Sequence, residues 1–133
     1  MSRASAVGST RSSGVPFAFS HEIDGEVVVQ DLTAWDGEVE EMDAVESEWL
    51  DHASRAGISG AVTEFGDGVN LGRETQEHLA TEWSAKAEEA DIERIAFVSD
   101  GIKAHAVSAN LDVSQEIQTF NSLSAAVAWA NEA

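Results

Sequence analysis

The chain has no cysteine, which excludes disulfides, thiolate metal sites and a cysteine nucleophile. Basic residues are scarce. Lys and Arg number 7 against 25 Asp and Glu, for a net charge of −18, and Lys86 and Lys103 are the only lysines. A chain this acidic repels nucleic-acid phosphates and anionic lipid surfaces, so nucleic-acid binding is excluded as a function class. No apolar run approaches the roughly 18 residues that a membrane-spanning helix needs, so insertion by a helix is excluded too. There is no internal repeat and no sign of a second domain. What remains is ordinary for a folded protein: 43% hydrophobic and 24% charged residues in a length of 133, room for one domain with one core.

The acid is spread along the chain rather than gathered in a tail, and residues 1–16 hold none of it. Evenly distributed acid with little lysine is the composition expected of a cytoplasmic protein from a high-salt, haloarchaeal type of organism. At molar salt the Debye length falls to about 3 Å, so self-repulsion is screened while carboxylates keep the surface hydrated. The competing explanation is an acidic face that docks a basic partner. The charges occupy every solvated face instead of one stripe, which favours the halophilic reading.

Residues 1–16, rich in Ser, Gly and Ala, read as a disordered leader. They lack the apolar core of a signal peptide, and a cytoplasmic location is the expectation that follows. Residues 17–133 read as a single α/β domain. Phe17–Ile23 alternates apolar and polar residues, Asp24-Gly25 supplies a hairpin turn, and Glu26–Leu32 returns as a second strand. Met42, Val45, Trp49, Ala53 and Ala56 recur at helical spacing, with Gly57 as the stop. Strands are predicted over 58–65, 92–98 and 114–120. Helices are predicted over 71–90, 99–109 and 122–131. The order ββαβαβαβα implies a central mixed five-stranded sheet, parallel in its later part, with about four helices.

Three stretches carry a family resemblance: Ile92 to Asp100 (IERIAFVSD), Glu116 to Phe120 (EIQTF), and Ser124 to Trp129 (SAAVAW). They resemble a strand with its following turn, the last strand, and the closing helix of the STAS-like superfamily, in its SpoIIAA-like branch related to anti-sigma-factor antagonists. The resemblance implies a small, non-enzymatic module that binds a protein partner or a small apolar ligand held between sheet and helices. Antagonists proper carry a phosphorylatable Ser or Thr where the third strand's loop enters the next helix. Here that stretch, Glu64 to Arg73, has no hydroxyl residue before Thr75, so the phosphoswitch is not carried over.

Candidate chemistry is sparse. No G-x-S-x-G elbow or H-x-x-x-H pair is present. Glu74, His78 and Glu82 share a helix face at i,i+4 spacing, a pattern more often a solvated face than a ligand set, so no metal and no cofactor is assigned. The glycines of the 66–72 loop precede a helix at the C-terminal edge of a strand, where open α/β sheets place ligands, but the lysine of a phosphate loop is missing. A polar site there would fall to Asp67, Asn70 and Arg73. Of four tryptophans, Trp49 and Trp83 fit core positions, whereas Trp35 lies in a loop and reads as an exposed anchor for a partner. A homodimer would help a small acidic domain bury apolar area. The expected function is a non-catalytic binding module, for a protein partner or a small apolar ligand. The alternative is a small hydrolase-like or other enzyme with its site at residues 66–73. On the halophilic reading, the melting temperature should climb steadily between low and molar KCl; a flat profile refutes it.

Overall fold

In this computed structural model, residues 19–35, 42–66, 69, 71–99, 107–109, 111 and 113–132 are described. The predicted leader, and with it the start of the first predicted strand, lies outside them. Alternating segments form β1 (Ser20–Asp24) and β2 (Val27–Leu32), a hairpin paired antiparallel. The turn sits one residue later than the Asp-Gly pair suggests: Asp24 still pairs with Val27, and Gly25 takes the positive φ of 69° that a two-residue hairpin loop demands. The Asn131 side chain fastens this turn from the far end of the domain. Its Oδ1 accepts from Glu26 N at 2.9 Å, and its Nδ2 donates to the Asp24 carbonyl at 3.2 Å.

The remaining strands are β3 (Gly60–Phe65), β4 (Arg94–Val98) and β5 (Glu116–Phe120). They add in parallel to β2, giving a five-stranded mixed sheet ordered β1-β2-β3-β4-β5. Its central strands are apolar on both faces because both faces are covered. Helix α1 (Met42–Ala53) links β2 to β3. It stops short of the predicted end, and residues 54–57 form turns, which leaves Ala56 exposed. A second helical segment links β3 to β4: α2 (Arg73–His78), a π-helical turn (Leu79–Trp83) and α3 (Ser84–Ala90). Residues 107–109 are helical, while the rest of the predicted 99–109 helix, apart from Ser99, is outside the described residues. Helix α4 (Leu123–Ala130) closes the fold, with Ser122 Oγ accepting from Ala125 N as its N-cap.

Each parallel connection steps to the next strand in the same direction, so right-handed crossovers put α1, α2 and α3 on one face of the sheet. That face holds the larger core: Val28, Leu32, Ala61, Phe65, Ile95 and Phe97 from the strands against Met42, Val45, Leu79 and Ala87 from the helices. Helix α4 covers the other face with Ala126 and Ala130 against Val27, Val62 and Ala96. Among the described residues no helix is long and apolar enough to cross a membrane.

At the end of β3 the chain passes so close to the turn after β2 that a Cβ on Gly66 would overlap the Thr33 carbonyl oxygen. Gly72, the N-cap of α2, faces open space. Gly66→Ala should therefore cost about 2 kcal/mol or more, since backbone must move, whereas Gly72→Ala should stay within about 0.5 kcal/mol. Urea midpoints of the two variants, compared at fixed salt, test this difference.

Candidate functional site

The helix-covered face of the sheet is apolar except for one row. By register, His21 of β1 lies beside Gln30 of β2, Gln30 beside Thr63 of β3, and Thr63 beside Phe97 of β4. Gln30 and Thr63 are buried, and the His21 side chain is only 1% exposed. Buried polar groups persist where they satisfy one another. Gln30 Nε2 donates to Thr63 Oγ1 at 3.1 Å, which leaves Gln30 Oε1 to accept from His21 Nε2 at 2.6 Å. The His21 ring thus holds its proton on Nε2 and presents a bare lone pair at Nδ1.

Burial favours the neutral imidazole and lowers the His21 pKa from 6.5 to about 4; the hydrogen bond to Gln30 opposes this, and nearby His52 adds slightly to it. The His52 pKa is lowered as well, by burial first and then by the Arg55 charge, against the pull of Asp51. His21 Nδ1 stands 3.7 Å from Glu48 Oε1 on α1, a distance that makes an ion pair only when the ring is protonated. The neutral ring makes none.

A second polar cluster sits across from this row, on the helices. Glu46 of α1 is 5% exposed, although its side chain ends in a carboxyl group. Its Oε2 accepts from His78 Nε2 at 2.6 Å and from Trp83 Nε1 at 2.9 Å, and its Oε1 lies 4.0 Å from Lys86 Nζ. The π-helical turn makes this convergence possible. In an uninterrupted α-helix, residue 82 would follow His78 on the same face; the wider turn advances the register by one and brings Trp83 there instead. Glu82, displaced outward, pairs with Lys86 at 3.2 Å. The Trp83 ring is held by stacking on Phe65 and Phe97, both with centroids 6.2 Å away.

Between the sheet row and the helices lies a cavity of about 30 Å³. Its wall is aromatic and aliphatic, with Trp49, Trp83, Phe97, Ile95 and Leu111; Ala61 and Ala87 leave the space by being small. Gln30, Thr63, Glu46 and Lys86 supply its polar edge. Few polar groups set in an apolar wall is the usual make-up of a small-molecule site.

The residues expected to form a site fare differently. Arg73 is exposed at the first position of α2, on an open stretch of surface with Gln76, Glu77 and Ala80. Asp67 and Asn70 are outside the described residues. Trp35 is not a surface anchor: it is 1% exposed, because the turn after β2 folds its indole back over the sheet against Phe65. Glu74, His78 and Glu82 do not come together as a ligand set, since His78 turns to Glu46 and the π turn carries Glu82 away.

Instead, the group of described residues whose donor atoms approach closely enough to hold a metal ion is His21, Glu48 and His52, with one atom from each within 4.8 Å of the others. Sequence reasoning passed over these and over Glu46. Two signals were present: Glu48 and His52 are spaced i,i+4 on a helix, and His21 occupies the inward phase of β1 between Phe19 and Ile23. Nothing in the sequence alone joins β1 to α1.

Comparison with family models, with curated proteins and with solved structures gave no match.

The His21 environment has a pH signature. The unfolded chain takes up a proton near pH 6.5, while the folded ring resists until about pH 4, so folding stability should fall as pH drops through that window and level off below it. The His21 share of the loss is on the order of 3 kcal/mol. Urea unfolding in the presence of a chelator, from pH 7.5 to about 4, should show a slope that flattens in His21→Gln once the common carboxylate contribution is subtracted.

Proposed function

We propose that the chain is a non-catalytic binding module that takes up a small apolar ligand between the sheet and the α1–α3 side of the domain, and that its acidic surface adapts it to high salt. The observation that carries this reading is the cavity lined by Trp49, Trp83, Phe97 and Ile95, with the buried carboxylate of Glu46 at its edge. Such a lining suits an apolar body ending in a hydrogen-bond donor. The resemblance to STAS-like modules supports the same reading, as does the mixed sheet built on a hairpin followed by parallel strands.

Size defines the mechanism. A cavity of about 30 Å³ has space for about two water molecules, whereas drug-sized ligands occupy on the order of 300 Å³ or more. Uptake is therefore an opening step in which α1 parts from the second helical segment over the sheet. The contacts that must yield are those of Glu46 with His78 and Trp83, which tie α1 to the second helical segment. Glu46 both latches the closed state and offers an acceptor to what enters.

Native mass spectrometry of the full chain, purified from its own host in high salt and exchanged rapidly into a volatile buffer, tests this. An added mass of a few hundred daltons is expected, and it should vanish in Ala61→Val. The β-branched side chain suits a strand and fills the space, so that variant should melt no lower than the native protein. A clean apo mass in both proteins would overturn the ligand reading in favour of a protein partner, and the same spectrum reads the ratio of dimer to monomer.

A further inference from the structure

We propose that His21, Glu48 and His52 form a site for one divalent transition cation of the zinc class, held between β1 and α1. None of the three ligands lines the cavity, although Gln30 borders both places, and the proposal does not rest on what the cavity binds.

The His21 ring carries the argument. Its side chain is 1% exposed, yet its Nδ1 has no hydrogen-bond partner. Gln30 fixes the reason: by accepting from Nε2 it places the proton on that side, so Nδ1 offers only a lone pair. That nitrogen lies 3.7 Å from a carboxylate oxygen of Glu48. A buried electron-pair donor beside a carboxylate oxygen with no proton between them is unfavourable, and a cation between them turns that repulsion into coordination. His52 supplies a third donor. Its ring centroid is 5.4 Å from that of His21, and it too has a buried Nδ1 without a partner.

The surroundings match what metal-ligating histidines need. Such a ring donates its other N–H to a neighbouring acceptor, which sets the tautomer and the orientation. Here the acceptor is the Gln30 amide, itself anchored on Thr63, and Phe19 holds the ring edge-on at 5.7 Å. Two imidazoles and one carboxylate suit zinc and its transition-metal neighbours rather than calcium or magnesium, which take oxygen ligands. Three protein ligands with a fourth position open to water make a familiar zinc arrangement. Bonds of about 2.0–2.1 Å in a tetrahedron bring donors to about 3.4 Å from one another. The three now lie within 4.8 Å of one another, so coordination draws them closer by roughly 1 Å, and Glu48 is the exposed member of the set.

The test uses the full chain stripped with a chelator and titrated with Zn²⁺ by calorimetry in high salt free of metal-binding anions. One Zn²⁺ per chain is expected, retained in a large excess of Mg²⁺, with a rise in melting temperature on loading. Co²⁺ in place of Zn²⁺ should give the intense visible absorption of a four-coordinate nitrogen and oxygen site. His52→Ala should weaken Zn²⁺ binding at least 10-fold and abolish that absorption. Glu48→Gln, a near-isosteric change at an exposed side chain, should weaken binding similarly. Glu22→Gln, an acidic position on the opposite face of β1, should change neither. Zinc binding that Mg²⁺ displaces, or that folded Glu48→Gln and His52→Ala retain in full, would assign it to the general acidic surface and overturn the proposal.

Discussion

Parallel neighbours in this sheet are always joined by a step in the same direction, and the handedness of such crossovers then leaves no choice about where the helices go. Helices α1, α2 and α3 share one face, and α4, which follows the last strand, takes the other. The two faces are therefore unequal. One carries a thick layer with several interhelical seams; the other carries a single short helix packed through alanines. Among the described residues, the buried polar groups discussed above lie on the thick side, where side chains from the strands and from two helical segments converge on the same volume.

Convergence has an energetic cost. An apolar residue at Gln30, Thr63 or Glu46 would bury without any need for a partner, and replacing buried polar clusters with hydrophobic side chains is often neutral or stabilising. Here each polar group is tied to another. His21 leans on Gln30, Gln30 on Thr63, and Glu46 gathers His78 and Trp83. Such chains specify one geometry: the first fixes side chains across three strands, and any shift of α1 relative to the second helical segment leaves Glu46, His78 and Trp83 unsatisfied at once. The π-helical turn belongs to the same economy: it gives up regular helix hydrogen bonding to bring the Trp83 nitrogen onto Glu46.

Much of the fold was legible because burial writes a period into the chain. The runs VVVQDL, GAVTEF and RIAFV are strands as read, and Met42, Val45 and Ala53 do face the core at helical spacing. Local rules failed where a distant part of the chain decides. Trp35 looks like a loop residue until the turn after β2 folds it onto Phe65. The i,i+4 set of Glu74, His78 and Glu82 assumes a regular helix, and no short pattern announces a π turn. His21 and His52 are 31 positions apart, so their proximity exists only once β1 and α1 are placed by the rest of the domain. The loop expected to hold a site contributes an exposed Arg73, while the groups that do gather are those the sheet register and the helix seams bring together.

The hairpin turn has a consequence for how the fold assembles. Glu26 and Asp24 owe their side-chain partners to Asn131, at sequence separations of 105 and 107. The hairpin turn is thus completed by a side chain more than a hundred positions further along the chain. A nascent chain can pair β1 with β2 by itself, but their turn stays unclamped until α4 has docked on the opposite face. Contacts between residues so far apart in sequence close late and slowly. Among the described residues β1 remains an edge strand of the finished sheet, and the charges of Glu22 and Asp24 along it are suited to keep other chains from pairing with it before and after the turn is clamped.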